Sequence, residues 1–384
     1  MRIVLTGGGS GGHFYPMIAV AQQIRVLAKE DKLIEPDLIY MATEEYDPDA
    51  LFENNISFKH INAGKRRRYT SILNFFDLFK TGLGVIKAML KLFFVFPDVV
   101  FSKGGYASVP VVLAARVFGI PVIIHESDAV PGKANVWAAK YARRIAVSYP
   151  ESAEIFRALV AKKKKAPEIA VTGNPVRHEM QTLSPAGAHE FLKLSHDIPT
   201  VLVLGGSQGA TTINETLIET LPELVTRYQI IHQTGKANFE ITKRSAEMIL
   251  ENNPNASRYV PFPFLNVVAM RMAAGAADLI ISRAGSGAIF EIALWGKPSI
   301  LIPIPEDVSH DQKHNAFAYA RTGASVVVAQ ENLTPHLLTS EITRLMDSQD
   351  EREKMSREAK AFSQPDAARK IAREVLDVAL EHEE

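Results

Sequence analysis

Ile3-Val4-Leu5-Thr6-Gly7-Gly8-Gly9-Ser10-Gly11-Gly12-His13 opens the chain with an apolar run, a glycine-rich turn and then a helical stretch from about Pro16. The arrangement returns at Val201-Leu202-Val203-Leu204, which runs into Gly205-Gly206-Ser207-Gln208-Gly209. In both places a buried strand would empty into a turn nearly free of side chains. There, backbone N–H groups and a helix N-terminus can approach an anion closely. Two such units predict two α/β domains, with a ligand at the carboxyl ends of both sheets and a cleft between them.

The stretches between these turns keep the same rhythm. Apolar runs at 2–6, 38–42, 99–102, 122–125 and 144–147 alternate with helical stretches such as 16–29 and 110–117. The second half repeats it, with strand signals at 200–204, 229–233, 258–262, 278–282, 299–303 and 324–329. Alternation of this kind predicts parallel sheets covered by helices on both faces, hence two doubly wound, Rossmann-like domains. The lysine run at 162–165 and the turn Thr172-Gly173-Asn174-Pro175 mark the boundary between them.

Composition narrows the function classes. At 384 residues the chain is long for a single core, and 47% hydrophobic with 22% charged residues is ordinary for a globular protein. The formal net charge is zero, which argues against nucleic acid as a partner. No cysteine is present, so disulfides and cysteine–metal sites are excluded. The first residues enter a strand with no basic and apolar leader, so no signal peptide is expected. One segment departs from the average: Lys65-Arg66-Arg67-Arg68, then an aromatic run with Phe75, Phe76 and Phe79, then an apolar stretch to Phe96. Its charges make it a poor transmembrane helix. It predicts two amphipathic helices on the core, with a basic and aromatic face able to rest on an anionic membrane.

Several motifs carry chemistry. Residues 7–12 match G-x-G-x-x-G, and Glu44 and Glu45 follow a second strand, but five glycines in six positions satisfy many patterns. No Lys-Ser/Thr follows, so this is not a phosphate-binding P-loop. His13, where the helix begins, can act as a base near neutral pH or merely cap the helix. Gly104-Gly105-Tyr106 and His125-Glu126-Ser127-Asp128, the latter leading to Asn135, put further polar residues at strand ends. In the second half, Glu291 lies early in a helix, where a carboxylate can bridge two vicinal hydroxyls of a ribose or simply complement the helix dipole. His310, Asp311 and His314 lack the pairing of a metal cluster, so no metal site is expected. Asp311 and Gln312 suit hydrogen bonds to sugar hydroxyls better.

Together these residues resemble the MurG family, the peptidoglycan N-acetylglucosaminyltransferases of the GT-B fold. The match runs in order through Gly7–His13, Gly104–Pro110, His125–Asn135, Thr172–Arg177, Gly205–Ala210, His232–Lys236, Asp278–Gly285 with Glu291, and Gln312 with Asn315. The resemblance implies inverting transfer of N-acetylglucosamine from UDP-N-acetylglucosamine to the lipid-linked muramyl-pentapeptide lipid I, giving lipid II and UDP without a cofactor. It implies His13 as the base. Ser10, Gly11, Gly12, Arg177, Ser207, Gln208, Val267, Glu291, Asp311 and Gln312 would serve the donor, and Tyr106, Glu126, Asp128 and Asn135 the acceptor. Residues 1–176 would form the acceptor- and membrane-facing domain and 177–362 the donor domain, with a helix at about 363–384 packing back on the first. The enzyme would sit peripherally on the cytoplasmic face of the cell membrane, docked through residues 65–96, and cell-wall synthesis proteins are possible partners.

The chain departs from the family where His-Glu-Gln-Asn is common. Here the motif reads His125-Glu126-Ser127-Asp128, and a carboxylate cannot donate the hydrogen bond an asparagine can. Competing readings are another GT-B enzyme with a different lipid acceptor, a nucleotide-sugar epimerase, and a non-catalytic nucleotide-sugar-binding protein. The basic and aromatic segment favours a lipid acceptor over the epimerase, and His13, Glu291 and Gln312 together argue against the scaffold.

Overall fold

Side chains on a strand point alternately to opposite faces, and the first strand shows what this does here. Ile3 and Leu5 enter one core and Val4 another, because both faces of the sheet are covered. The computed structural model describes residues 1–64, 73–205, 210–306 and 310–383. Its contacts divide the chain into two units, Met1–His178 with Gln364–Glu384, and Glu179–Ser363.

The first unit holds β1 (Arg2–Thr6), β2 (Asp37–Ala42), β3 (Ile56–His60), β4 (Val99–Ser102), β5 (Val122–Glu126), β6 (Arg144–Val147) and β7 (Glu168–Val171). All pairings are parallel, in the order β3-β2-β1-β4-β5-β6-β7. The helix Gly11–Glu30 covers one face together with the C-terminal helix Ala367–Glu383, whose Ile371, Val375 and Leu376 are fully buried there. Arg369 pairs with Glu30 at 2.5 Å and Arg373 with Asp31 at the rim of that contact. These exposed pairs fix register more than they stabilise. Val111, Ala114 and Ala115 of the helix Ser108–Phe118, with Ala88 and Leu92 of the helix Leu73–Val95, cover the opposite face.

The stretch from 73 to 95 is one helix of 23 residues, not the two the sequence predicts. Gly84 in its middle is not a break. A Cβ there would lie 1.7 Å from the Asn62 carbonyl oxygen, so glycine admits close passage of the chain at 62. No described helix is long and apolar enough to cross a membrane.

The second unit holds β8 (Thr200–Leu204), β9 (Gln229–Gln233), β10 (Tyr259–Phe262), β11 (Leu279–Ser282), β12 (Ser299–Leu301) and β13 (Ser325–Val327). They too are parallel, in the order β10-β9-β8-β11-β12-β13. Ile213, Leu217 and Leu221 of the helix Thr211–Leu224 pack with Leu338, Ile342 and Leu345 on one face.

Candidate active site

Each sheet has one place where the strand order reverses. In the first it lies between β1 and β4, in the second between β8 and β11. Connections leave such a point in opposite directions and open a crevice at the carboxyl ends of the strands. The turn after β1 carries Ser10 to His13, and the turn after β4 carries Gly104 to Tyr106. These turns lie against each other. Gly105 has φ of +78°, and a Cβ on it would stand 2.8 Å from the Gly8 carbonyl oxygen. Only glycine meets both conditions. Tyr106 shares a hydrogen bond of 3.4 Å with Thr43 Oγ1.

His13 sits in the first turn of the helix Gly11–Glu30. Its backbone N–H donates to the Ser10 carbonyl at 3.1 Å, and Ser10 at the N-cap makes no side-chain capping bond. The residue is partly accessible, but its Nδ1 is enclosed and has no hydrogen-bond partner. Burial, and then the charge of Lys103, push the imidazole down to about 4; a hydrogen bond to the Lys103 backbone partly offsets this. The sequence places its titration near neutrality. The structure instead keeps the free enzyme's His13 neutral through the physiological range.

Behind these turns lies a fully buried polar cluster. Lys103, directly after β4, is 1% exposed. Its Nζ reaches His125 Nδ1, Ser127 Oγ and, at 3.1 Å, Asn174 Oδ1. His125 Nε2 lies 3.0 Å from the Gly173 carbonyl, which can only accept. The imidazole is therefore the Nε2–H tautomer, and Nδ1 accepts from Lys103. Next to it, Glu126 accepts from the backbone N–H of Asp128 and Gly132, both at 3.0 Å, and from Asn135 Nδ2 at 2.9 Å. Burial pushes the Glu126 carboxyl up, and those three donors work against it. Asn135 also donates to the His125 carbonyl at 3.0 Å. So Glu126 and Asn135 brace each other and the turn that carries Asp128. Sequence reasoning missed Lys103. Its signal was a lysine set two residues after the apolar run Val99–Phe101, beside a glycine turn.

Arg177 belongs to the same unit, its guanidinium 4.1 Å above the Tyr15 ring. The sequence boundary at 176/177 had assigned it to the second domain.

In the second unit, Val267, Glu291, Asp311 and Gln312 all follow the carboxyl ends of strands β10, β11 and β12. Val267 opens the helix Val267–Ala276, which Asn266 caps by accepting from the Ala269 N–H at 2.9 Å. Glu291 is partly buried in the second turn of the helix Ser286–Trp295. Gln312 Oε1 accepts from the Ile304 N–H at 3.2 Å, which ties it to the loop after β12. A cavity of about 450 Å³ opens at this edge, lined among others by Thr212, Pro303, Ile304, Glu306 and Lys313. The loop before Val267 is held from beneath, because Gln233 Oε1 accepts from the Leu265 N–H at 3.0 Å. Beside it, Asn214 donates to the Thr234 carbonyl, leaving its Oδ1 to accept from His232 Nε2 at 3.0 Å. His232 Nδ1 then accepts from Tyr259 at 2.9 Å, and desolvation pushes this neutral ring down to about 3. Ser207, Gln208 and Lys65–Arg68 lie outside the described residues. Among the described residues no three His, Asp or Glu side chains are grouped to hold a metal ion.

Two doubly wound sheets in one chain, each with polar residues along the carboxyl ends of its strands, are the architecture of GT-B enzymes, and the family matches make this chain a glycosyltransferase. Residues 3–147 match the N-terminal domain of glycosyltransferase family 28, and residues 200–371 match its C-terminal domain. The chain belongs to the UDP-N-acetylglucosamine–N-acetylmuramyl-(pentapeptide) pyrophosphoryl-undecaprenol N-acetylglucosamine transferase family, MurG. It is 38% identical to the Clostridium kluyveri transferase of that name, over 90% of this chain and 91% of the relative. The crystal structure of Acinetobacter baumannii MurG aligns with a TM-score of 0.73 at 27% identity, covering 98% of this chain and 99% of that one. The UDP-GlcNAc 2-epimerase of Neisseria meningitidis, solved bound to UDP-GlcNAc, has a TM-score of 0.66 at 15% identity, covering 98% and 99%. That last likeness is one of fold alone.

Proposed function

We propose that this glycosyltransferase moves N-acetylglucosamine from UDP-N-acetylglucosamine to lipid I, forming lipid II and UDP. The observation that carries the reading is the 38% identity, over nine-tenths of both chains, to a transferase named for that reaction. The acceptor hydroxyl oxygen attacks the anomeric carbon from the face opposite UDP. The bond from that carbon to the diphosphate oxygen breaks, and the hydroxyl proton passes to the imidazole of His13. The place of His13 at the start of the helix after β1, against the Gly104–Tyr106 turn, supports the role. The glycine turn at residues 10–12 serves the donor; Tyr106 and Asp128 receive the acceptor, and Glu126 and Asn135, both buried, shape the turn that carries Asp128. Val267, Glu291, Asp311 and Gln312 hold the uridine and sugar, with Ser207 and Gln208 on the donor's diphosphate. Arg177 is a further donor residue in this reading. No metal or cofactor enters this reading.

The enzyme docks on the membrane through its first unit. The helix Leu73–Val95 and its flank expose Leu83, Ile86, Leu90, Phe93, Phe94 and Phe96, each more than half accessible. Phe93 stands 5.5 Å from Phe94 and 6.3 Å from Phe118, ring centre to ring centre, so the aromatic surface continues onto the next helix. Lys87, Lys91 and Arg116 interrupt it, the combination that suits an anionic bilayer surface. The cytoplasmic face of the cell membrane is where both substrates would meet it.

A panel of sugar nucleotides, each incubated with and without lipid I, tests the reading. UDP release should require both UDP-N-acetylglucosamine and lipid I. Interconversion of the sugar nucleotide without any acceptor would instead favour an epimerase.

A further inference from the structure

Lys103 is the largest anomaly of the first unit. A lysine is rarely buried without an ion pair, because desolvating the ammonium costs several kcal/mol. Here the side chain is 1% exposed, and its three hydrogen-bond partners, His125 Nδ1, Ser127 Oγ and Asn174 Oδ1, are all neutral. No carboxylate oxygen is among them. Burial pushes the amine down to about 7, while Glu126 and Asp128 act on it through space and favour its charge. Other groups face it too: His13 on the helix Gly11–Glu30, whose protonation it opposes, and His125 on β5, which burial and then Lys103 hold neutral. From beyond β7 comes the amide of Asn174. The Lys103 backbone N–H donates to the Thr6 carbonyl at 2.8 Å, so Lys103 stands directly beside the first glycine turn.

We propose that Lys103 is a positioning residue of the acceptor site: its buried amine holds the His125–Ser127 turn and supplies the positive charge that lets an anionic diphosphate sit beside Glu126 and Asp128. This rests on the acceptor reading above and deepens it. A lipid-linked diphosphate entering this edge meets the Asp128 carboxylate, on a residue where the family commonly has a neutral amide, with the Glu126 carboxyl buried behind it. Lys103 offsets that charge from behind, and Ser127 is short enough to leave room for its Nζ. The departure at Ser127-Asp128 and the lysine at 103 are thus one arrangement. Binding of the diphosphate in turn raises the proton affinity of Lys103, so acceptor binding and its protonation are linked.

Steady-state kinetics with lipid I and UDP-N-acetylglucosamine, on K103M, D128N and the double variant, test the proposal. K103M should raise the acceptor KM by about tenfold and leave the donor KM within about twofold. In the K103M background, D128N should lower the acceptor KM again. The wild-type acceptor kcat/KM should fall on the alkaline side, and K103M should lack that limb. A folded K103M with an unchanged acceptor KM overturns the proposal. So does a loss shared equally by both substrates with no recovery in the double variant, which is the mark of a structural role. Should K103M not fold, the wild-type profile decides: an acceptor kcat/KM that is flat from about pH 6 to 9 overturns it. If the wild-type enzyme does not use lipid I at all, the acceptor reading fails first and this inference with it; normal turnover with no dependence on Lys103 sinks the inference alone.

Discussion

Replacing His13 by alanine separates its two possible roles. General-base catalysis typically contributes about 10²–10⁴-fold. Burial and Lys103 hold this imidazole at about 4 in the free protein, which makes it a weaker base than an ordinary histidine. The loss should therefore lie nearer the lower end, about 10²–10³-fold in kcat. UDP affinity should not change. The pH dependence follows from the direction of the shift: His13 is neutral and competent above about 4, so the acid limb of kcat/KM should fall only near that value and not near 6.5. Turnover and melting temperature, measured on one preparation of wild type and H13A, make the assay. Ser10 caps the helix with its backbone and not its side chain, so little stability should be lost. A well-folded H13A that turns over at close to the wild-type rate, or an acid limb centred near 6.5 in the free enzyme, would refute the reasoning.

With Glu291 on the ribose as proposed, Glu291→Ala loses hydrogen bonds each worth roughly 1.5–3 kcal/mol when charge-assisted, so calorimetry should show UDP binding weakened by about tenfold or more; unchanged affinity removes Glu291 from the donor site. Phe93→Ser with Phe94→Ser removes two exposed rings, and since full burial of such a ring is worth roughly 1.5–3 kcal/mol, flotation with anionic vesicles should drop by more than about tenfold; equal flotation of both proteins excludes this patch. His232 is neutral when folded, at about 3, whereas the unfolded side chain titrates near 6.5. Between those values only the unfolded chain takes up the proton, so the stability this contributes is complete above about 6.5 and lost as pH falls toward 3. The melting temperature should decline along that window, and His232→Asn should flatten the decline; parallel curves would show that the ring is not held neutral.

The central strands were legible because both of their faces are buried. β1, β4, β5, β8 and β11 each hold an unbroken apolar run of three or four residues. The strands the sequence did not reveal, β3 and β7, are the two edges of the first sheet. Ile56 is the one fully buried residue of β3, and β7 has none. Such strands are held by one neighbour and carry too little apolar signal to separate from loop. The helix Leu73–Val95 looked like two because Gly82 and Gly84 imitate a break, and contact with residue 62, far off in sequence, explains Gly84.

For the site, motif spacing brought out the turns after β1, β4 and β5, since glycines at strand ends are a local signal. What spacing does not carry is depth. Lys103 reads as an ordinary loop charge until β5 and Asn174 close around it. The low titration of His13 likewise depends on that neighbour. Asn135 and Glu126 were legible as polar residues of one loop, but not that they hydrogen-bond each other at 2.9 Å.

The most direct test of the account is the lipid product itself. Enzyme, lipid I and UDP-N-acetylglucosamine are combined, and the extracted lipid is examined by mass spectrometry and proton NMR. The account predicts a lipid heavier by one N-acetylhexosamine residue, joined through a β linkage because the donor's α configuration is inverted, with UDP released in equal amount. An unchanged lipid with UDP-N-acetylglucosamine hydrolysed or epimerised, or an α-linked product, would contradict it.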